Sequence, residues 1–143
     1  MKIRQISVFI ENKSGRLYEV IRLLGGNNIN VRAMSLADTT DFGIARFIVN
    51  EPDEAYRLLK DNDFTAGMND VVAISVPDKP GGLAGILHVL QQKNINIEYM
   101  YAFVNQSGDN AIMIFRFDDT DLALSALKGA RFDIINEKSL FNI

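Results

Sequence analysis

Hydrophobic and polar residues alternate with two different periods near the start of the chain. Residues Gln5–Ile10 alternate with a period of two, which predicts a β-strand. Ser14 and Gly15 interrupt this pattern, and the apolar positions that follow have the i, i+3, i+4, i+7 spacing of an amphipathic helix. Four residues form the helix stripe: Leu17, Val20, Ile21 and Leu24. The glycines and asparagines at 25–28 predict the end of that helix.

Two strands, a helix and a final strand are predicted next. Asn50–Glu54 is typical of a helix start, because it combines a capping side chain, an early proline and carboxylates at the positive end of the helix. This helix runs to about Asp61. The other elements are a strand at Ile29–Ala37, a turn at Asp38–Phe42, and strands at Gly43–Val49 and Phe64–Met68.

The second half of the chain repeats the first. A shift of 66 residues places Lys13–Leu17 on Lys79–Leu83 and Asn28–Asn30 on Asn94–Asn96. Beyond residue 43 the offset becomes 68, so two extra residues fall in a predicted turn near Asn105–Asn110. The second copy then has strands at Val71–Val76, Ile95–Val104, Ala111–Phe117 and Phe132–Asn136, a helix stripe of Leu83, Ile86, Leu87 and Leu90, and a helix at Asp118–Leu127.

The element order β-α-β-β-α-β, found twice, predicts an α+β protein of two tandem ferredoxin-like domains, at residues 1–70 and 71–143. Right-handed crossovers place both helices on one face of each antiparallel sheet. The opposite face looks apolar, as in the run Ala111–Phe115. A large apolar face needs a cover, so we expect another sheet there, from the other repeat or from a second chain, and we expect a homodimer.

Composition narrows the function classes. The 143 residues are 48% hydrophobic and 23% charged, as in globular proteins. The absence of Cys excludes disulfides and thiolate sites, and a single His excludes a multi-histidine metal cluster. A net charge of −3 gives no nucleic-acid footprint. No apolar run approaches the roughly 18 residues of a membrane span, and no signal peptide is recognised at the N-terminus, so we expect a cytoplasmic protein.

Candidate catalytic groups have simpler structural explanations. His88 lies off the apolar stripe of its helix, as expected for a solvated position. The acidic pairs at Asp53-Glu54 and Asp118-Asp119 sit at helix starts, where capping accounts for them. The glycine-rich segment Pro80–Gly85 lacks the G-x-G opening of a dinucleotide-binding turn. We therefore expect no enzyme activity, no cofactor and no metal.

The glycine turns that join a strand to a helix suggest a binding site. Gly15 and Gly81 lie in these turns, and free backbone N–H groups at the following helix start favour a carboxylate. Asn30 and Asn96 open the next strand of each repeat, and an Asn amide can bind both an amino and a carboxylate group. The alternative is that these residues serve only the turn and the helix end.

At these residues the sequence resembles the ACT-domain family, small ligand-binding modules of amino-acid metabolism. The resemblance covers the whole chain. It rests on a strand, then D/N-x-P-G-x-L, an amphipathic helix and N-I at the next strand. The second repeat has Asp78–Leu83 followed by Asn94–Ile97, and the first has Asn12–Leu17 followed by Asn28–Val31. It is similar to small stand-alone proteins made of two tandem ACT domains.

The resemblance implies an amino-acid site at an interface between ACT domains. The implied ligand-binding residues are Asn12, Lys13, Ser14, Gly15, Arg16, Leu17 and Asn30 in the first repeat, and Asp78, Pro80, Gly81, Gly82, Leu83 and Asn96 in the second. In serine-sensing members, the positions of Asn12 and Asn30 hold the ligand. Ser14 replaces the usual Pro, and Ile10 stands where some of those members have His, so serine is not implied. The carboxylate of Asp78 would repel a ligand carboxylate, so we expect the first turn to be the better site.

Three hypotheses follow. The first is a non-catalytic regulatory protein that binds a small amino acid or related carboxylate metabolite and acts on a separate enzyme of amino-acid or aryl-acid metabolism. The second is a protein-interaction scaffold, or a regulatory subunit of a separate metabolic enzyme, without a ligand of its own. The third is a small enzyme that uses Asp78, Tyr99 or Tyr101.

Overall fold

The computed structural model describes residues 1–11, 14–38, 42–107 and 109–142, with the backbone alone at 104–107. Strands and helices follow one another in the order that the hydrophobic pattern predicts, except that two predicted strands form one and a short helix is added at the end. Their bounds are β1 Ile3–Glu11, α1 Arg16–Gly26, β2 Val31–Asp38, β3 Phe42–Val49, α2 Pro52–Asp61, β4 Thr65–Pro77, α3 Gly82–Gln92, β5 Ile97–Ser107, β6 Asn110–Phe117, α4 Thr120–Gly129, β7 Asp133–Ile135 and α5 Glu137–Phe141.

The chain divides into two units. The N-terminal unit is Arg4–Asn69, and the C-terminal unit combines Met1–Ile3 with Asp70–Ile143. Lys2 belongs to the C-terminal unit, where its Nζ lies 3.0 Å from a carboxylate oxygen of Asp121 on α4. The repeat boundary after residue 70 is a division of the sequence and stays a prediction.

In the N-terminal unit, the strand order is β2-β3-β1-β4. The β1 and β2 strands both pair antiparallel with β3, so the end of β1 lies beside the start of β3, with Ile10 opposite Gly43. One face of the sheet packs against α1 and α2, whose buried residues include Val20, Leu24 and Leu59. This is the split β-α-β arrangement that the element order predicts.

The C-terminal unit repeats this topology. Its sheet has the order β5-β6-β4-β7, in which β4 pairs with both β6 and β7. The apolar side chains of α3 and α4 pack on one face, and Phe115 and Phe117 are fully buried there with parallel rings 5.6 Å apart. The predicted architecture of two tandem antiparallel sheets with helices is therefore confirmed.

Two elements differ from the sequence expectations. Phe64–Met68 and Val71–Val76 were expected as separate strands, but β4 runs unbroken through Asn69 and Asp70. The two polar residues are bonded in place, because Asn69 accepts from the hydroxyl of Ser7 at 2.9 Å and the carbonyl of Asp70 accepts from Arg116 at 2.6 Å. The short helix α5 was not predicted. Asn136 caps it, and Leu140 on it is fully buried.

The sheet face opposite the helices carries buried side chains in both units, although Phe9 on it is 49% exposed. In the C-terminal unit, the residues that alternate with the core positions, Ala73, Ile112 and Ile114, are at most 1% exposed. In the N-terminal unit, Gln5 and Ile48 are fully buried.

Polar side chains at the helix starts have two different roles. Asp119 caps α4 by accepting from the backbone N–H of Leu122 at 3.1 Å. Asn50 was expected to cap α2, but its side chain accepts from the backbone N–H of Asn30 at 2.9 Å. Asp118 accepts from Asn96 in the same way, at 3.1 Å. These bonds join the start of the second strand of each repeat to the end of the third.

Gly82 is the position where an added side chain disturbs the backbone most. A Cβ atom there would lie 2.0 Å from the carbonyl oxygen of Pro77, whereas a Cβ on Gly25 of α1 would meet nothing within 4 Å. We expect Gly82→Ala to lower the free energy of unfolding by about 2 kcal/mol, because the turn backbone must shift. Gly25→Ala, the matched control, should be neutral or stabilising by up to about 1 kcal/mol. Urea unfolding measures both, and equal midpoints for the two variants would contradict the crowding.

Candidate functional site

The strand-to-helix turns of the two repeats share one backbone conformation. Gly15 has φ 93° and ψ −15°, and Gly81 has φ 85° and ψ −7°. Both values match the third position of a type II turn, which favours glycine. In the second repeat the turn closes with a hydrogen bond from the N–H of Gly82 to the carbonyl of Lys79, at 3.0 Å. Pro80 occupies the second position of this turn, where a proline is common.

The helices that follow these turns begin without a side-chain cap. Neither α1 nor α3 has a hydrogen bond from a capping side chain, whereas α4 and α5 are capped by Asp119 and Asn136. The first N–H groups of a helix have no partner within the helix, and the helix dipole makes this end positive. The uncapped starts of α1 and α3 can therefore accept a carboxylate.

A cavity lies beside the turn of the N-terminal unit, with a volume of about 240 Å³. It is formed by the end of β1, the first turn of α1, the end of β2 and the start of β3. Seven residues line it: Ile10, Glu11, Gly15, Leu17, Leu36, Asp38 and Gly43. We call this cavity the N-terminal turn cavity. Its walls are apolar, and two exposed carboxylates stand at its edge.

The C-terminal unit has a smaller cavity in the corresponding place, of about 170 Å³. Its lining residues are Val76, Pro77, Asp78, Lys79, Leu83, Ala111 and Met113. We call it the C-terminal turn cavity. By the repeat offset, Ala111 corresponds to Gly43, so a methyl group stands where the N-terminal cavity has none. A Cβ on Gly43 would lie 3.4 Å from Ile10 and 3.5 Å from Leu36, which is inside that cavity's wall.

The structure brings part of the expected site together. Gly15 and Leu17 line the N-terminal turn cavity, and Asp78 and Leu83 line the C-terminal one. Ser14 and three residues of the second repeat, Pro80, Gly81 and Gly82, form the turns themselves. Arg16 lines a different groove, in which its guanidinium carbon lies 5.0 Å from the centre of the Phe64 ring. Asn12 and Lys13 lie outside the described residues.

Asn30 and Asn96 lie at the far end of the second strand of their repeat. Asn30 precedes β2, next to Asn50, whereas the turn cavity adjoins Asp38 at the end of β2. Eight residue steps of strand separate the two ends, which corresponds to roughly 25 Å. Within one unit, therefore, Asn30 does not join the turn residues. Asn96 has the corresponding position before β5 and lines a shallow pocket with Asn94 there.

Sequence reasoning missed the cavity-lining residues contributed by β2, β3 and β6. Leu36, Asp38 and Gly43 line the N-terminal turn cavity, and Ala111 and Met113 line the C-terminal one. The signal that could have found them is the antiparallel register. Once β1 is paired with β3 in a hairpin-linked sheet, the start of β3 must lie beside the end of β1 and its turn.

The described residues offer little for catalysis. They contain no group of three or more acidic, His or Cys side chains that could hold a metal ion. His88 is exposed, as expected. Tyr99 and Tyr101 are strand residues whose rings stack with centres 6.5 Å apart, and Tyr101 is only 9% exposed. No helix in the described part of the chain is both long and apolar enough to cross a membrane.

Comparison with known proteins decides the family. The family model of the ACT domain pair matches residues 1–143. The chain belongs to the ACT domain pair family. The family resemblance noted in the sequence is thereby confirmed. By family, an ACT domain pair is a regulatory module rather than a catalytic one. Among curated proteins, none matches this chain.

Solved structures resemble this ACT domain pair over 87–100% of its length. Protein BT0572 from Bacteroides thetaiotaomicron is 43% identical, with a TM-score of 0.93, and the match covers 100% of this chain and 98% of that one. The ligand-free regulatory subunit of aspartate kinase from Thermus thermophilus is 19% identical, with a TM-score of 0.63 and coverage of 89% and 91%. The Thermus flavus regulatory subunit is 18% identical, with a TM-score of 0.61 and coverage of 87% and 88%. At 19% and 18% identity, the two regulatory subunits show only that this chain shares their fold.

The two turns of this ACT domain pair predict a reciprocal change in stability. Ser14 occupies the turn position that Pro80 has in the second repeat. We expect Ser14→Pro to raise the free energy of unfolding by about 0.5–1 kcal/mol, because proline restricts the unfolded chain. Pro80→Ser should lower it by a similar amount. Thermal unfolding of both variants tests this, and a loss of stability in Ser14→Pro would show that the first turn has a different conformation.

Proposed function

We propose that this protein is a non-catalytic regulator that binds an amino acid with an apolar side chain in the N-terminal turn cavity. The main support is that one cavity combines an uncapped helix start, apolar walls and carboxylates. An amino acid presents the complementary three groups: a carboxylate, an apolar side chain and an ammonium.

Each part of the ligand has a counterpart in the cavity. The ligand carboxylate is assigned to the free N–H groups at the start of α1, next to Gly15. Its side chain is assigned to the apolar wall of Ile10, Leu17 and Leu36. Its ammonium is assigned to the edge where Glu11 and Asp38 supply negative charge. The family's regulatory character agrees with a site that binds and does not react.

The C-terminal turn cavity fits the same ligand less well. It is smaller, and Ala111 and Met113 fill part of the corresponding space. Asp78 lies within the turn sequence itself, where its carboxylate repels a ligand carboxylate. Lys79 offsets part of that charge. We therefore propose the N-terminal turn cavity as the principal site, with the C-terminal one weaker or selective for a smaller ligand.

A homodimer would complete the proposed site. The outer strand of the N-terminal sheet is β2, which pairs only with β3 among the described strands, and Met34 and Leu36 on it are 42% and 51% exposed. An exposed apolar edge strand favours pairing with another chain. If two β2 strands pair antiparallel, the start of one strand lies beside the end of the other. The partner chain's Asn30 would then approach the turn cavity, from which Asn30 is distant within one unit.

Regulation requires a target, which we propose to be a separate enzyme of amino-acid or aryl-acid metabolism. Two proteins of the same fold are named as regulatory subunits of aspartate kinase, and this chain covers about nine-tenths of each. That likeness supports the proposal that this chain is a regulatory subunit, but it does not identify the enzyme that the chain regulates. Ligand binding would act by shifting the population between two arrangements of the domains, which requires different affinities for the two. The alternative is a scaffold without a ligand.

A thermal-shift screen of the twenty amino acids distinguishes a ligand-binding regulator from a scaffold. We expect stabilisation by apolar amino acids, of about 2.7 kcal/mol at a concentration 100 times the dissociation constant. Gly43→Ala should reduce the shift, because the new methyl group enters the cavity beside Ile10 and Leu36. The matched variant Ala111→Gly, in the C-terminal turn cavity, should leave it unchanged or increase it.

Two outcomes of the screen would contradict the proposed site. No shift with any amino acid or aromatic acid would support the scaffold. A shift that Gly43→Ala leaves intact would move the ligand to another site.

Sedimentation and binding measurements test the role of the β2 edge. We expect a dimer at micromolar concentration and a monomer for Met34→Lys, because a charge on an edge strand opposes pairing. Asn30→Ala and Asn12→Ala should each weaken ligand binding by about tenfold without unfolding the protein, as for the loss of a hydrogen bond to a charged group. A monomeric wild-type protein, or full affinity in both Asn variants, would exclude the proposed site across two chains.

A further inference from the structure

A groove runs along α1 in the N-terminal unit, separate from the turn cavity. Its volume is about 490 Å³. It runs from the first residue of α1 to Asn27 just after its end, and Asn62 and Phe64, between α2 and β4, line its other side. Eight residues line it: Arg16, Glu19, Arg22, Leu23, Gly26, Asn27, Asn62 and Phe64. We call it the α1 groove.

Arg16 is held in the α1 groove by contacts that leave one edge of its guanidinium unused. Its Nη1 donates to Oε2 of Glu19 at 2.5 Å. Its guanidinium carbon lies 5.0 Å from the centre of the Phe64 ring, so the group stacks on an aromatic face. Its Nε is buried without a hydrogen-bond partner. A buried, unsatisfied donor of this kind is rare in proteins and points to a missing acceptor.

The unused edge has the geometry that binds oxyanions. The Nε–H and one Nη2–H of arginine point in parallel, and this fork matches the two oxygens of a carboxylate or phosphate group. Glu19 bonds to Nη1, and Nε keeps no hydrogen-bond partner in the protein. Asn27 and Asn62 each donate one amide hydrogen, to the carbonyls of Leu23 and Leu58, both at 2.8 Å. The charged donors of the groove are therefore those of the arginines.

Arg22 supplies a second cation to the same groove. It lies six residues after Arg16 on α1, which corresponds to about 9 Å along the helix axis. Glu19 pairs with Arg16 alone, so the three charged side chains of the groove leave a net positive charge. An anion entering the groove gains from this charge as well as from the fork.

The second repeat shows that the fold does not require these charges. At the repeat offset of 66, Arg16, Glu19 and Arg22 correspond to Gly82, Gly85 and His88. The related groove between α3 and α4 has a volume of about 410 Å³ and a single charged lining residue, Lys93. The same architecture is thus built without the arginine pair. Its presence on α1 calls for a reason other than folding.

We propose that the α1 groove is a binding site for a small metabolite bearing a carboxylate or phosphate group, which the Nε–Nη2 fork of Arg16 holds and Arg22 attracts. This site is separate from the turn cavity, and the proposal does not rest on the amino acid proposed there. Glu19 positions the guanidinium and competes with the ligand for its charge. Phe64 keeps the guanidinium plane fixed by stacking.

The side-chain Nε–Hε signals of arginine in ¹⁵N NMR spectra report on this fork directly. Inorganic phosphate and acetate are titrated separately into the full-length protein at constant ionic strength. We expect a saturable shift of the Arg16 Nε–Hε signal, assigned by its loss in Arg16→Lys. The backbone amide of Gly26, at the other end of the groove, serves as a second reporter. Tighter binding of phosphate identifies a phosphate ester as the ligand class, and tighter binding of acetate identifies a carboxylate.

Four variants separate the fork from simple charge attraction. Arg16→Lys keeps the charge but loses the fork, and the dissociation constant read from Gly26 should rise about tenfold. Arg22→Ala should raise it about threefold, and Glu19→Gln should lower it. His88→Ala, the matched control in the second repeat, should leave it unchanged.

Two results would contradict the proposed anion-binding site in the α1 groove. The first is the absence of a saturable shift at Arg16 with either anion, which would mean that the buried Nε is satisfied by water only. The second is an equal affinity in wild type, Arg16→Lys and Arg22→Ala, which would reduce the effect to unspecific charge screening.

Discussion

The left-handed glycine turn between the first strand and the first helix of each repeat is the constraint on which the site depends. Gly15 and Gly81 adopt φ values of 93° and 85°, which reverse the chain at once and start the next helix without a capping side chain. A longer connection would have room for a Ser or Asp cap, and the helix N–H groups would then be satisfied internally. Because the turn is tight, these groups stay available beside the end of the strand.

Comparison of the two repeats distinguishes the features that serve folding from the features that belong to one cavity. Both units share the strand order, the turn and the helix stripes, so these features serve folding. The differences lie at the cavities, where Gly43 corresponds to Ala111 and Arg16 to Gly82. Gly82 approaches the carbonyl of Pro77 too closely for any side chain, so the second repeat cannot carry an arginine there without moving its backbone. The two units are alike in fold and differ in the residues that line their cavities.

The sequence predicts the fold much better than the site, for a physical reason. Helix stripes and alternating strands are local patterns, and the repeat doubles the signal, so ten of the elements follow from periodicity and turn chemistry. The unbroken β4 does not, because the polar Asn69 and Asp70 look like a break until their partners Ser7 and Arg116 are placed. The cavity walls at Leu36 and Asp38 depend on which strands pair and in what register. No local pattern contains that information.

Two neighbouring side chains at the start of α1 point into different cavities, the turn cavity and the α1 groove. Arg16 and Leu17 are consecutive in the turn motif, and successive residues of a helix point about 100° apart. Leu17 therefore lines the turn cavity, while Arg16 lines the α1 groove. A ligand in either place contacts the first turn of α1. If one ligand shifts that turn, the other must feel the shift in its own affinity, and by linkage the coupling is equal in both directions. The first turn of α1 is thus where the proposed amino acid and the proposed oxyanion would influence each other.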